Sequence, residues 1–153
     1  MTSVAVAAVV ASDAIVLVEG ECNDDGTVTV IKDETFDLEP GDRRKAYAIM
    51  ATRIRDRLKN GIDTVILKAS SGGQFAARTA VLHAAELRGV FLSAVPGEIE
   101  VVQRQKKSVS KGRSRKVDDY LKDDAFFGDK FDGIKLRKGS REAAFLILNE
   151  IDD

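Results

Sequence analysis

The start of the chain carries short apolar, β-branched runs that are separated by turn residues. Val4 to Ala11 and Ala14 to Glu21 are predicted strands, and Ser12-Asp13 between them predicts a tight turn. The Asn-Asp-Asp-Gly sequence at 23–26 is typical of a hairpin turn and leads into a third predicted strand, Thr27 to Phe36. The pattern therefore predicts that the chain opens with an antiparallel meander of three strands.

A helical period replaces this pattern after Pro40-Gly41. Asp42 is a favourable N-cap residue, because its carboxylate can accept a hydrogen bond from a free N–H of the first helical turn. Arg43 to Lys59 then places apolar side chains three or four residues apart, and Asn60-Gly61 ends the segment. The apolar stripe consists of Tyr47, Met50, Ile54 and Leu58. We therefore predict one amphipathic helix in this segment, with its arginines on a solvated face.

The segment from Ile62 to Gly89 predicts a strand, a turn and a helix. Asp63 to Leu67 has the apolar, β-branched pattern of a buried strand, and a turn rich in serine and glycine follows it. Gln74 to Arg88 is an alanine-rich helical pattern that Gly89 would end. Ligands of α/β sheets gather at the carboxyl ends of strands. The turn after this strand is therefore the first candidate for a site.

The next apolar run, Val90 to Val95, predicts a fifth strand that Pro96-Gly97 ends. The order of elements is then three antiparallel strands, a helix, a strand, a helix and a strand. A parallel strand pair that is joined through a helix is expected to cross over with a right hand. This order predicts a mixed sheet of five strands with flanking helices.

The last part of the chain predicts two further helices around a polar stretch. Val117 to Lys122 predicts a short helix, and Asp123 to Lys138 is polar and contains glycine. Three phenylalanines in that stretch are predicted to anchor it to the core: Phe126, Phe127 and Phe131. Ser140 is a predicted N-cap for a final helix, Arg141 to Ile151.

Composition limits the classes of protein to which this chain can belong. The 153 residues suit a single domain, and the apolar fraction of 44% with a charged fraction of 32% is typical of a globular chain. The only cysteine, Cys22, excludes an internal disulfide, and with a single histidine, His83, it argues against a zinc or haem site. Val4 to Val18 is too short to span a bilayer and lacks the features of a signal peptide. We therefore expect a cytoplasmic protein.

Two sequence blocks carry a resemblance to a known family. The first is Val4-Ala5-Val6-Ala7-Ala8 followed by Ser12-Asp13-Ala14-Ile15-Val16, and the second is Val65-Ile66-Leu67-Lys68 followed by Gly73-Gln74-Phe75-Ala76. They resemble the opening hairpin and the second block of RuvC-like resolvases and of a small uncharacterised bacterial family of the same type. The resemblance implies an RNase H-like fold, to which the order of predicted elements also corresponds.

The resemblance also implies a particular chemistry, from which this chain departs. RNase H-like nucleases hold two Mg²⁺ ions with acids from the first strand, the end of the fourth strand and the last helix. Those positions correspond here to Ala8, Lys68 and Glu142. An alanine cannot bind a metal, and an ammonium group would repel Mg²⁺. We therefore expect no resident cofactor, except in a rearranged nuclease that would use Asp13 and Glu142, or Glu98, to hold Mg²⁺.

Two groups of residues are candidates for binding anions. The turn residues Ser70, Ser71, Gly72 and Gly73 could offer backbone N–H groups to a phosphate beside Lys68, although an ordinary strand-to-helix turn with a solvated lysine is the more common explanation. Residues 103–116 form a basic segment without acidic or aromatic residues, which is typical either of a phosphate-binding strip or of a flexible solvated loop. The candidate nucleic-acid contacts are Lys68, Arg78, Arg104, Lys106, Lys107, Lys111, Arg113, Arg115 and Lys116.

Three hypotheses follow for function. The first is a non-catalytic RNase H-like domain that binds DNA, RNA or a nucleoprotein partner. The second is a metal-dependent nuclease with the rearranged set of acids. The third is an interaction or homodimerisation module that uses the Phe126 to Phe131 region or a sheet edge. None of the three requires a membrane.

Overall fold

The computed structural model describes residues 3–69, 78–105 and 113–152. The strands are β1 (Ser3–Val10), β2 (Ala14–Cys22), β3 (Val28–Asp37), β4 (Thr64–Ala69), β5 (Glu100–Gln105) and β6 (Phe131–Gly133). The helices are α1 (Arg43–Leu58), α2 (Arg78–Ala94), α3 (Val117–Leu121), α4 (Asp124–Lys130) and α5 (Arg141–Asp152), and a 3₁₀ turn, Lys138–Ser140, leads into α5. No helix in these ranges is long and apolar enough to cross a membrane.

The strands form one mixed sheet in the order β5-β4-β1-β2-β3-β6. The antiparallel meander β1-β2-β3 is confirmed, and β4 pairs with β1 in parallel, with Ala8 opposite Leu67. β5 extends the sheet in parallel beside β4, and β6 lies parallel to β3 at the other edge. The predicted mixed α/β sheet is therefore confirmed. Four of its strands lie where they were predicted, whereas β5 and β6 do not correspond to predicted strands.

Helices cover both faces of the sheet. On one face, α1 and α2 pack against β1, β2 and β4 through residues such as Val6, Leu17 and Leu67. On the other face, α5 packs against Ala7, Val18 and other residues that alternate with the first set. The two-residue period of a strand directs successive side chains to opposite faces. Each residue of the central strands can therefore be assigned to the α1/α2 face or to the α5 face.

Helix α5 is buried around its whole circumference from Ala143 to Leu148. Beneath it lies the sheet, and above it α3 and α4 contribute an aromatic cover, with the Tyr120 ring 5.5 Å and the Phe126 ring 6.1 Å from that of Phe145. Phe127 and Phe131 are also buried in this cluster, as the sequence predicted. The polar stretch Asp123 to Lys138 thus contains α4 and β6 and forms part of the core.

The predicted strand Val90 to Val95 is wrong. These residues continue α2, whose buried side chains are Leu87, Phe91 and Ala94. The intervals of four and three residues place all three on one helical face against the sheet, and this burial outweighs the strand preference of valine and phenylalanine. Gly89 lies inside the helix and does not end it. The fifth strand is Glu100–Gln105, after a turn in which the Ile99 N–H donates to the Pro96 carbonyl.

Candidate functional site at the carboxyl end of the sheet

The carboxyl end of β4 carries a lysine that pairs with the last helix. Lys68 follows the buried run Val65 to Leu67 and lies on the α5 face, and its Nζ donates to Glu142 Oε1 at 2.8 Å. The two side chains are 27% and 24% exposed, so the pair is partly withdrawn from solvent. Glu142 lies in the first turn of α5, where the helix dipole favours a carboxylate. An ion pair thus joins the end of β4 to the start of α5.

Ala8, the residue that the sequence matches to the strand-one acid, does not lie on the face of Lys68 and Glu142. Ala8 is buried among the residues that pack against α1 and α2, on the face opposite to Lys68 and Glu142. A metal that is shared by ligands from β1, β4 and α5 requires all of them on one face, and the β1 residues on the α5 face include Ala7 and Val9. Ala8 therefore does not share a face with Lys68 and Glu142, and the side chains of Ala7 and Val9, which lie on the α5 face, cannot bind a metal.

The acids of the rearranged-nuclease hypothesis are paired with cations or exposed. Asp13 lies in the β1–β2 turn, where its Oδ1 accepts from Arg43 Nη1 at 2.9 Å, and Glu142 is paired with Lys68. Glu98 is exposed in the turn before β5. Among the residues that the structure describes, no three His, Cys, Asp or Glu side chains are placed so that they could hold a metal ion. The described residues at this end of the sheet therefore do not fit a pair of Mg²⁺ ions.

Several predicted contacts lie outside the described residues. These are the anion-binding turn Ser70, Ser71, Gly72 and Gly73, and three lysines of the basic segment, Lys106, Lys107 and Lys111. They stay sequence predictions.

The described part of the basic segment is largely engaged within the protein. Arg104, on β5, donates from Nε to Glu150 of α5 at 2.6 Å. The Arg113 guanidinium lies 4.7 Å from the centre of the Phe145 ring, and that of Arg115 lies 4.3 Å from the centre of the Tyr120 ring. Arg115 also donates to an Asp123 oxygen at 3.0 Å, and this bond keeps the pKa of Arg115 above its ordinary value. These arginines hold the segment to the aromatic cover of α5.

Other cations remain exposed. The side chains of Arg78, at the start of α2, and of Lys116, before α3, are exposed and have no hydrogen-bond or ion-pair partner within the described ranges. The same is true of the side chains of Arg44 and Lys45 in the first turn of α1. Neither Arg44 nor Lys45 is among the contacts predicted from the sequence. Their position next to the N-cap Asp42 was the available indication that they lie at an end of the sheet.

The topology brings Arg44, Lys45 and Arg78 to the end of the sheet at which β1 and β4 finish. Helix α1 starts there, because its Arg43 contacts Asp13 in the turn after β1. Helix α2 runs towards the start of β5, and its Glu86 accepts from the Tyr47 hydroxyl of α1 at 2.8 Å. At about 1.5 Å per residue along a helix, Arg78 lies further towards this end than the first turn of α1.

The first half of α2 is only partly covered by the other residues that the structure describes. No residue from Arg78 to Glu86 is buried, and the first buried side chain is that of Leu87. Leu82 is 59% exposed, the most exposed of the large apolar side chains in the described ranges. An apolar residue on an uncovered helix is a candidate contact for another protein surface.

Comparison with known proteins supports the fold. No family model matches the sequence, and no curated protein matches it either. A Thermus thermophilus RuvC structure matches with a TM-score of 0.71 and 13% identity over 95% of this chain and 92% of that one. T. thermophilus RuvC in complex with a Holliday junction substrate matches with a TM-score of 0.69 and 12% identity over 96% and 91%. The yeast mitochondrial Holliday junction resolvase Ydc2 matches with a TM-score of 0.69 and 12% identity over 97% and 78%. The chain therefore has the RuvC/RNase H-like fold.

Proposed function

We propose that this chain is a DNA-binding domain of the RuvC/RNase H-like fold in which an ion pair replaces the metal-binding acids. The observation that carries the proposal is the contact of Lys68 with Glu142 at the carboxyl end of β4. By the resemblance, the Lys68 ammonium group lies where RNase H-like nucleases hold metal ions, and Glu142 partly neutralises its charge. The ammonium group can neutralise a phosphate, but it cannot activate a water molecule as a metal ion does.

The exposed cations support a phosphate-binding role. Arg44, Lys45 and Arg78 lie at the same end of the sheet as Lys68 and are not neutralised by described acids. Cations that contact phosphates release counterions from DNA, which favours binding at low salt. The solved complex of T. thermophilus RuvC contains a Holliday junction substrate. We therefore propose branched or duplex DNA as the ligand.

A binding titration with labelled DNA tests this function. Fluorescence anisotropy is measured for a four-way junction, a duplex, a single strand and an RNA over a salt series. We expect binding to a DNA probe, with a slope of log affinity against log salt that corresponds to about four to six phosphates. Lys68→Ala and the double variant Arg44→Ala/Lys45→Ala should reduce the slope. Lys32→Ala, which removes an exposed lysine in the middle of β3, is the matched control.

A cleavage assay separates this proposal from the nuclease hypothesis. The same probes are incubated with Mg²⁺ or Mn²⁺, and we expect the DNA to stay intact. Cleavage that Glu142→Gln abolishes would contradict the proposal and support a rearranged catalytic site. Failure of every probe to bind at low salt would also contradict it.

A second copy of this chain is also proposed as a partner, because α2 has an uncovered first half with the exposed Leu82. Burial of this side chain between two copies would remove apolar surface from water. Sedimentation equilibrium should then show a dimer that Leu82→Glu dissociates. A monomer at all concentrations would remove this part of the proposal without affecting the DNA-binding result.

A further inference from the structure

A cavity lies beside the β6 edge of the sheet. It has a volume of about 490 Å³ and is lined by α4, β6 and the segment that leads into α5. Its apolar lining comes from Phe127, Phe131, Ile134 and Leu136. Ile134 is 51% exposed, which is unusual for a large apolar side chain in the described ranges. Cavities of a few hundred cubic ångströms with an apolar lining are typical ligand sites.

The segment that forms one side of the cavity is fixed by a buried carboxylate. Asp33 of β3 is 4% exposed and accepts hydrogen bonds from the backbone N–H and the guanidinium of Arg137 and from the Ser140 hydroxyl. The Ile134 N–H donates to the Val30 carbonyl at 3.0 Å, which fixes the other end of the segment. The cavity is therefore formed before any ligand binds, so that little ordering entropy opposes binding.

Positive charge exceeds negative charge at the cavity. Arg141 of its lining is neutralised by Asp124, with Nη2 2.6 Å from Oδ1. The side chains of Lys135 and Lys138 also line it, are exposed, and make no hydrogen bond or ion pair within the described part of the chain; Lys138 acts on Asp124 only through the longer-range attraction of its charge. Asp132 is the remaining charged residue. The lining thus combines an apolar surface with a net positive charge.

We propose that this cavity binds an acidic peptide segment of a partner protein, with one large apolar side chain inserted between Ile134 and the phenylalanines. The carboxylates of the peptide would contact Lys135 and Lys138. A peptide suits the site because the cavity lies beside β6, an edge strand that pairs only with β3 among the described strands. This site is separate from the Lys68 end of β4, and the proposal does not depend on DNA binding.

Peptide titration monitored by ¹H–¹⁵N NMR tests the proposal. The probe is a short peptide with a central phenylalanine between aspartates. We expect shifts at Ile134, Lys135 and Leu136, and weaker binding when alanine replaces the phenylalanine or asparagines replace the aspartates. Lys135→Gln/Lys138→Gln should weaken binding by about fivefold, the size of two exposed charge contacts, and Ile134→Glu should abolish it. Lys122→Gln, which changes an exposed lysine outside the cavity, is the control.

Three results would overturn the proposal. The first is the absence of shifts at these residues up to about 2 mM peptide, beyond the range of weak specific binding. The second is equal binding of the alanine-substituted peptide. The third is displacement of the peptide by a single-stranded oligonucleotide, which would assign the cavity to nucleic acid. The NMR spectrum of each variant shows at the same time whether it is folded.

Discussion

Arg57 links helix α1 to two strands of the sheet. Its guanidinium lies 2.7 Å from Glu19 of β2 and 2.6 Å from Glu34 of β3, and the side chains of Arg57 and Glu19 are 14% and 13% exposed. Burial by itself would lower the pKa of Arg57, but the bonds to the two carboxylates outweigh it and raise the pKa. The two carboxylates therefore favour the charged form of the arginine.

Removal of this cation should destabilise the protein. Arg57→Met leaves two carboxylates close together and partly buried, and we expect the free energy of unfolding to fall by about 3 kcal/mol. Urea denaturation at neutral pH measures the change. Lys59→Met is the matched control, because Lys59 is exposed and lies 3.8 Å from Asp56, and it should change stability by less than about 0.5 kcal/mol. Adding Glu19→Gln and Glu34→Gln to Arg57→Met should restore stability, because it removes the two repelling carboxylates. If the triple variant stays as unstable as Arg57→Met, repulsion between these carboxylates is not the cause of the loss.

Asp33 should give stability a defined pH dependence. Burial favours its protonated form, but the hydrogen bonds from Arg137 and Ser140 outweigh that effect and hold the pKa of Asp33 below its ordinary value. A lowered folded-state pKa contributes stability above the unfolded-state pKa of about 3.9, and this contribution is lost as the pH falls through the folded-state pKa. Asp33→Asn should therefore cost about 2 kcal/mol at pH 7.

Denaturation of Asp33→Asn and of the unchanged protein between neutral and acidic pH checks this expectation. The difference between the two free energies of unfolding should shrink once the pH falls below about 4. A difference that stays constant down to the acid transition would mean that the charge of Asp33 does not contribute.

Single residues also show the limit of sequence analysis for the site. Lys68 and Glu142 were both singled out, but their contact joins positions 74 residues apart, and periodicity carries no information about such a contact. The sequence match also could not show on which face of the sheet Ala8 lies, because a shift of one residue moves a strand side chain to the opposite face. The basic segment was identified by composition alone. Composition could not show that Arg113 and Arg115 lie on aromatic rings of the late helices.

At the level of elements, the sequence predicted those features that depend only on contacts between residues close together in the chain. Asp42 caps α1 as predicted, with its carboxylate accepting from the Arg44 N–H at 2.9 Å. The boundary between α2 and β5 was misplaced because Val90 to Val95 suits a strand by composition, whereas contacts with the sheet extend the helix. Strand β6 could not be predicted, because its three residues are too few to show the alternation of apolar and polar side chains that is typical of a strand.

Strand β6 depends on a glycine at its end. Gly133 has a φ of +84°, and a Cβ on it would lie 2.4 Å from the Val30 carbonyl oxygen. Gly133→Ala should therefore detach β6 from β3 and lower the free energy of unfolding by about 2 kcal/mol. Thermal denaturation measures the loss. Gly139→Ala is the matched control, since a Cβ there meets nothing within 4 Å, and it should stay within about 0.5 kcal/mol of the unchanged protein. Equal effects of the two variants would contradict this role for Gly133.

For the molecule as a whole, the order of elements was sufficient to predict the fold class. Three strands in a meander, followed by alternating helices and strands, leave few topologies with right-handed crossovers. The structural matches cover nearly the entire chain at 12–13% identity, so the arrangement of elements is retained where the sequence is not. The distribution of charge could not be predicted in this way, because it depends on which cations the fold brings next to acids.

That distribution separates two groups of cations. On the α5 face, Glu142 pairs with Lys68 and Glu150 pairs with Arg104, so α5 neutralises the cations of β4 and β5. At the starts of α1 and α2, Arg44 and Arg78 have no such acids among the described residues. The carboxylates of α5 should therefore compete with DNA phosphates for the cations of the sheet.

Removal of these two carboxylates should strengthen DNA binding. In Glu142→Gln/Glu150→Gln, Lys68 and Arg104 become available to phosphates, and we expect affinity at low salt to rise by about fivefold, the size of two partly exposed ion pairs. The slope of log affinity against log salt should also become steeper by about one to two units. Fluorescence anisotropy with the preferred DNA probe measures both quantities.

Glu98→Gln is the control, because it removes an exposed acid that has no described partner. It changes only the net charge and should leave the slope unchanged. Two results would show that α5 does not compete with DNA for these cations. The first is an equal gain of affinity in Glu98→Gln. The second is no gain of affinity in the double variant while Lys68→Ala still weakens binding.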